Sequence, residues 1–279
     1  MRYGLPYMGS KNKIASKIIS ILPAANNFYD LFCGGCAVTH AAMCSNKYKV
    51  FFINDIQPDL PRFFYDAVCT DKYFQDYYKK SIHKLDFYTK RTDPFFRFVW
   101  SFSSNLSDYI YGDRYEEIKT TIHDMLISDS FEERYSKYLK FILLLEKNEV
   151  DIHSLENIQS LHNLKNVHFL HNNNNNNNNM KLSSLSYDCV PILSDSVVYA
   201  DPPYRNTQSY IDQNFDHDAF YDWLRNTSFP VWVSEFNMPE DFVKIAKFQR
   251  QSYNSQVVAD SLFLHQRFCR KTIQPDLFS

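Results

Sequence analysis

The sequence predicts an α/β protein built on a doubly wound, mostly parallel sheet that carries an inserted, mainly helical domain. Three observations support this. An apolar run, FYDLF, enters a glycine pair, and a helical pattern and a second apolar run ending in an acid, KVFFIND, follow it; strand, glycine loop, helix, strand is how doubly wound folds begin. A third apolar run, SVVYA, resumes the pattern much later in the chain. The residues between, 57–165, are rich in Tyr and Phe, with helical stretches such as RYSKYLKFILLLEK and no alternation of strand with helix.

The elements follow in order. YMGSK reads as a loop and KIASKIISIL as a helix, its apolar residues Ile14, Ile18, Ile19 and Leu22 falling on one face before Pro23 ends it. FYDLF is a short buried strand, CGGC a turn, AVTHAAMCS a helix and KVFFIND a second strand. After the helical insertion come eight consecutive asparagines, Asn172 to Asn179, which offer no core-forming side chain and are expected to be disordered. SVVYADPPY is a strand running into a Pro-Pro loop, FDHDAFYDWLRN a helix and FPVWVSEF a strand. MPEDFVKIAKF reads as a helix or turn, and QVVADSLFLHQRF supplies the last strands.

Composition excludes several classes. At 279 residues, with 44% hydrophobic and 17% aromatic side chains, the chain can bury a large core. A formal charge of −2 gives no global basic field, so any nucleic-acid surface must be local. The opening MRYGLPYMGSKNK has lysines where a signal peptide has its apolar region, and the longest aliphatic stretch, Ile142 to Leu145, is far too short for a bilayer. A soluble cytoplasmic protein is expected. The cysteines, at 33, 36, 44, 69, 189 and 269, form no disulfide framework and are expected to be reduced, most of them packing residues, with Cys189 and Cys269 as small buried hydrophobes. Of only five glycines, Gly4, Gly9, Gly34 and Gly35 fall in the first 35 residues, which suggests positions no other residue fits.

Two constellations carry chemistry. In a doubly wound sheet the loop after the first strand brings backbone close to a nucleotide, and an acid ending the second strand hydrogen-bonds ribose hydroxyls; Gly34-Gly35 and Asp55 have that relation. The strict G-x-G-x-x-G pattern is absent, which favours a nucleoside cofactor over a pyrophosphate one. The second constellation is Asp201-Pro202-Pro203-Tyr204 at the end of a strand. Its stiff backbone presents carbonyl and carboxylate acceptors beside an aromatic ring, a surface suited to a planar group bearing an amine.

YMGSK, DLFCGG, FFINDI and VVYADPPY, in this order, resemble the Dam-like class of N6-adenine DNA methyltransferases, and FDHDAFYDWL and FPVWVSEFNMPEDFV are similar to its phage and prophage versions. The resemblance implies a Rossmann-like sheet of the S-adenosylmethionine-dependent methyltransferase type. It also implies methyl transfer from S-adenosylmethionine to the N6 amine of adenine in double-stranded DNA, with base flipping and no metal. Residues 1–56 and 185–279 would form the catalytic domain, 57–165 the target-recognition insertion and 166–184 a disordered, asparagine-rich loop. The catalytic motif falls on Asp201, Pro202, Pro203 and Tyr204. Cofactor contacts fall on Tyr7, Lys11, Asp30, Phe32, Gly34, Gly35, Asp55 and Asp201. Tyr7 and Gly9-Ser10 stand where family members often have Trp and Gly-Gly. Asp201 and the Pro202 carbonyl would accept the two amine hydrogens, and Tyr204 would stack on the extrahelical base. Ser186 to Asp188 stand where related enzymes have a segment beside the cofactor adenine.

From Lys72 to Arg97 seven Lys or Arg face three Asp, a local charge of +4 interleaved with aromatics. Lys79, Lys80, Lys84, Lys90 and Arg91 are candidate phosphate contacts there, and Asn105 in WSFSSNLSDYIYG a candidate adenine reader. The same basic stretch also reads as a solvated helical face. Asp216-His217-Asp218 reads as a helix cap, and His162, His168 and His171 lack ligand-like companions, so no metal is expected. A monomer is expected, with a separately encoded restriction enzyme as an optional partner. Three alternatives remain: a cytosine N4 methyltransferase, a degenerate DNA- or cofactor-binding homologue, and a redox protein built on Cys33 and Cys36.

Overall fold

A computed structural model describes residues 3–5, 7, 9–70, 81–90, 92–101, 107–150, 155, 160, 161, 163, 165, 179–205, 215–251 and 257–272. Packing divides the chain into two compact units: Met1–Gly4, Ser10–Arg62 and Asn175–Ser279 in one, Leu5–Gly9 and Phe63–Asn174 in the other.

The first unit is a seven-stranded sheet. Its strands are β1 (Asn27–Asp30), β2 (Val50–Asn54), β3 (Met180–Ser183), β4 (Ser196–Ala200), β5 (Val231–Glu235), β6 (Phe242–Gln251) and β7 (Val257–His265). They lie in the order β3-β2-β1-β4-β5-β7-β6. All neighbours pair in parallel except β7, which runs antiparallel to both β5 and β6. The predicted mostly parallel α/β sheet is therefore present. Strand order reverses between β1 and β4, and in open α/β sheets ligands bind at the carboxyl ends of strands at such a switch point. Helices α1 (Ala15–Ile21) and α2 (Ala37–Met43) belong to this unit, as does a later helix, His217–Asn226. The last is started by Asp216, whose carboxylate accepts the Ala219 amide at 2.9 Å, so the predicted cap is present. The core groups Tyr29, Val198, Val233, Phe220, Leu224 and Phe263, all buried.

Asn54 fastens the carboxyl edge. Its side-chain amide donates to the Leu31 and Leu185 carbonyls at 3.0 and 2.9 Å, and its carbonyl oxygen accepts the Ser183 hydroxyl and the Leu185 amide at 2.8 and 3.0 Å. One buried side chain thus ties together the ends of β1, β2 and β3. Asn54→Ala strands the buried Leu31 carbonyl and removes three part-buried bonds, and urea titration should show a loss of about 2–4 kcal/mol.

The second unit is helical: most of α3 (Asp59–Cys69), then α4 (Lys84–Lys90), α5 (Pro94–Trp100), α6 (Asp113–Ile127) and α7 (Phe131–Asn148). Pro94 opens α5 behind the Asp93 cap, and Ser130 caps α7 by accepting the Glu133 amide. Phe63, Phe87, Phe95, Phe98 and Trp100 are buried there, and Ile118, Ile122, Phe141 and Leu144 pack α6 on α7.

Three expectations are corrected. MPEDFVKIAKF contributes to β6 rather than to a helix, because a register shift between Lys244 and Ala246 breaks the two-residue alternation and leaves helix-like spacing. Met180–Ser183, inside the range 166–184 expected to be disordered, is strand β3, and the Asn179 carbonyl already accepts the Phe51 amide at 2.9 Å; residues 166–178 lie outside the described set. Cys189 is exposed rather than buried, because it ends a short 3-10 turn whose Tyr187 packs toward the core, and Cys269 is only half-buried. Among the described residues no helix is long and apolar enough to cross a membrane.

Candidate active site

The carboxyl ends of β2, β1 and β4, adjacent in the sheet, deliver Asp55, Asp30 and Asp201 to one edge. Each follows from local sequence. A strand buried on both faces must be apolar along its length, so its polar chemistry is confined to its end.

Asp201 leads the DPPY turn, and its Oδ2 accepts from the Lys11 ammonium at 2.8 Å, with Lys11 only 5% exposed. The Lys11 carbonyl takes the first two helical bonds of α1, from the Ile14 and Ala15 amides, which fixes this lysine at the helix entrance. Its ammonium also lies 4.5 Å from the centre of the Tyr204 ring, a cation–π contact. The second oxygen of Asp201, Oδ1, is buried and has no hydrogen-bond partner among the described residues. Burial pushes the Asp201 carboxyl up from its ordinary value; Lys11 opposes that most and a hydrogen bond with the Tyr204 side chain opposes it further, while the charge of Asp260 adds to the rise.

Asp30 is fully buried, with Oδ2 accepting the Thr39 hydroxyl at 2.7 Å and Oδ1 unpartnered among the described residues. Burial raises its carboxyl to about 7, with the negative charges of Asp201 and Asp55 adding to the rise. Asp55 accepts the Gly34 amide at 2.9 Å through Oδ2 and the Gln57 amide at 3.0 Å through Oδ1. Gly34 has φ +46°, the left-handed conformation that glycine favours, while Gly35 has no positive φ. Phe32 is half-buried in an aromatic nest, 5.5 Å from Tyr187 and 5.7 Å from both Phe215 and Phe220. Tyr7 lies in the helical unit, its ring 6.5 Å from Phe98.

Two acids that the sequence reading missed also reach the DPPY turn. Asp260 of β7, fully buried, accepts the Tyr204 hydroxyl at 3.0 Å. Glu235, the last residue of β5 and 1% exposed, accepts the amides of Phe236 at 2.7 Å and Arg205 at 3.4 Å. Burial raises Glu235 to about 7 against those amides. An acid isolated in an apolar strand, as in VVADSLFL and VWVSEF, is the signal that could have found them.

Asp30 and Glu235 bind protons more tightly folded than unfolded, so each stabilises the fold fully only below about pH 4, and that contribution is lost as pH rises to about 7. Stability of Asp30→Asn measured against the parent protein should therefore rise by up to about 4 kcal/mol between pH 4 and pH 7. A gap that stays constant across that range would contradict the raised carboxyl.

Burial raises the Cys33 and Cys36 thiols, so neither is a ready thiolate, and the redox reading gains no support. Of the candidate DNA contacts, Lys84 pairs with Asp113 at 2.6 Å and Lys90 with Asp86 at 3.7 Å. Such exposed pairs are weak enough to exchange for phosphate. Lys79, Lys80, Arg91 and Asn105 lie outside the described residues. A family model described as D12 class N6 adenine-specific DNA methyltransferase matches residues 7–223. No curated protein matches the chain.

Proposed function

Since the chain belongs to the D12 class of N6 adenine-specific DNA methyltransferases, enzymes that methylate adenine N6 in DNA, we propose that Asp201, Pro202 and Tyr204 hold the target base and that the methyl donor is S-adenosylmethionine. The observation that carries this reading is the buried, unpartnered Oδ1 of Asp201 on a turn whose other carboxylate oxygen is already held by Lys11.

The adenine amine is a weak nucleophile because its lone pair is delocalised into the ring. Asp201 Oδ1 and the Pro202 carbonyl would accept its two hydrogens and localise that pair on nitrogen. As the N6–methyl bond forms at the expense of the donor's methyl–sulfur bond, whose electron pair stays on sulfur, positive charge would develop on N6, and Asp201 is placed to offset it. The Tyr204 ring stacks on the extrahelical base. Loss of one N6 proton completes the reaction, and Asp201 is its nearest acceptor in this reading.

The residues present fit a cationic donor. The negative charges of Asp201 and Asp55 raise the proton affinity of Asp30, and a positively charged ligand relieves that repulsion. S-adenosylmethionine, when bound, supplies an electrophilic methyl on a sulfonium. Asp55, oriented by the Gly34 and Gln57 amides, would bind ribose hydroxyls. The Phe32–Tyr187 nest offers faces for the adenine, Gly34 and Gly35 let backbone approach, and Asp30 and Lys11 order the charged end. Tyr7 is a further candidate contact. We assign target recognition to the helical unit, with Lys84 and Lys90 as phosphate contacts and Lys79, Lys80, Arg91 and Asn105 as further candidates.

Incubation with S-adenosylmethionine labelled in its methyl group and unmethylated DNA, followed by digestion to nucleosides, should place the label in N6-methyladenine. Label in N4-methylcytosine would favour the cytosine alternative, for which no observation speaks.

A further inference from the structure

Tyr204 is held at both ends. Its hydroxyl donates to Asp260 Oδ1 at 3.0 Å, and the next residue's amide, Arg205, donates to Glu235 Oε2 at 3.4 Å. The other oxygen of Glu235 takes the Phe236 amide at 2.7 Å, and the Phe236 ring meets Tyr204 edge-on, centroids 4.5 Å apart at 81°. Lys11 lies over the ring at 4.5 Å. The two acids come from different strands, β5 and β7, which pair with Glu235 opposite Ser261, the residue after Asp260. They therefore converge on Tyr204 because the sheet places them there, and neither belongs to the DPPY sequence. Burying a carboxylate is costly unless hydrogen bonds offset the loss of water. Here those bonds come from the side chain of Tyr204 and from the amides of Arg205, which follows it, and Phe236, whose ring it meets.

We propose that Asp260 and Glu235 are positioning residues of the target-base pocket: they fix the plane of the Tyr204 ring before DNA arrives. This rests on the reading of Tyr204 as the stacking partner of the extrahelical adenine. A tyrosine free to turn about its side-chain bonds must be ordered each time a base enters, whereas one pinned at its hydroxyl and at the following amide has already lost that freedom. The acids touch neither base nor donor in this scheme; the charge of Asp260 also raises the proton affinity of Asp201, so the positioning role is the part of their effect that reaches capture of the base through Tyr204.

The test is a double-mutant cycle on steady-state methylation of unmethylated plasmid DNA, with donor affinity by calorimetry and thermal midpoint measured for each variant. Tyr204→Phe keeps the ring and removes the hydroxyl; Asp260→Ala removes its acceptor; Asp260→Asn keeps an acceptor oxygen. Tyr204→Phe and Asp260→Ala should each lower kcat/KM for DNA about ten- to hundredfold, with donor affinity unchanged. The pair together should fall no further than Tyr204→Phe alone, since both changes break the hydroxyl–Asp260 bond, while Tyr204→Phe also removes the hydrogen bond of that hydroxyl to Asp201. Asp260→Asn should recover to within about threefold of the parent protein, and Glu235→Gln should lose about tenfold.

Losses that multiply in the double variant, or Asp260→Asn as impaired as Asp260→Ala, overturn the positioning role. If Asp260→Ala does not fold, Asp260→Asn with and without Tyr204→Phe carries the same comparison, and additive losses there overturn the proposal equally. Tyr204→Ala separates the two levels. Full activity in that variant removes the stacking reading itself, whereas a large loss with uncoupled Asp260 leaves stacking intact and removes only the positioning role.

Discussion

Asp201→Ala removes methyl transfer, with turnover expected to fall by at least about a thousandfold. In the proposed function the carboxylate accepts a hydrogen from the amine and faces the charge that develops on it, so its contribution would be made in the transition state. That places the loss in kcat rather than in KM for DNA. Alanine has a second effect, because Lys11 is buried and its ammonium is paired with Asp201 at 2.8 Å. Removing one partner of a buried pair leaves an uncompensated charge, costing about 3 kcal/mol of stability. Asp201→Asn separates the two effects, since it keeps the volume and one oxygen toward Lys11 while removing the negative charge. Single-turnover assays should find both variants inactive, with the thermal midpoint lowered more in Asp201→Ala. Turnover within tenfold of the parent protein in Asp201→Asn would remove the carboxylate from its assigned role.

Gly4→Ala is expected to cost about 2–5 kcal/mol. Gly4 has φ +73°, and a Cβ there would lie 2.4 Å from the Gly35 carbonyl oxygen and 2.6 Å from the Ala37 nitrogen and Cα. All three are backbone atoms, so no rotamer change can make room. The Gly4 amide also donates to His40 Nδ1 at 3.2 Å, and burial lowers that imidazole to about 4, keeping it neutral and able to accept. The N-terminal segment is thereby strapped onto the DLFCGGC turn. Displacing it disturbs the turn that lets Gly34 meet Asp55, so donor affinity falls together with stability. Gly9 provides the control: its φ is +80° but a Cβ there meets nothing within 4 Å. Gly9→Ala should cost only the left-handed backbone penalty, about 1 kcal/mol. Equal thermal midpoints for the two variants would show that close approach at Gly4 contributes nothing.

Much of this was legible in the sequence because the chemistry lies at the ends of strands buried on both faces. Such strands read as unbroken apolar runs, and FYDLF, KVFFIND, SVVYA and VWVSE were recognisable without knowing their neighbours. The acids after them, Asp55 and Asp201, stood out because the runs stop there. What could not be read was whatever depends on which strands become neighbours. Asp260 and Glu235 meet at Tyr204 only because β7 inserts antiparallel between β5 and β6, and no local pattern encodes that insertion. The β6 segment was obscured by its irregular register, which shifts its apolar residues out of alternation. Gly4 was noticed as one of few glycines, but its contact with Gly35 and Ala37 exists only in the folded chain.

The pairing of β3 with β2 sets a rule for exchanging recognition modules. The two strands run parallel, with Phe51 opposite Met180 and Asn54 opposite Ser183, so the chain leaving β2 at one edge must re-enter β3 at the other. A tight turn cannot make that connection; parallel neighbours need a crossover of at least about a dozen residues. Any engineered swap or deletion of the 63–174 unit must therefore supply such a return path, whatever its new specificity. A graft joined by a short hairpin linker would force β3 to pair antiparallel or not at all, and Asn54 would lose its bonds to Ser183 and Leu185.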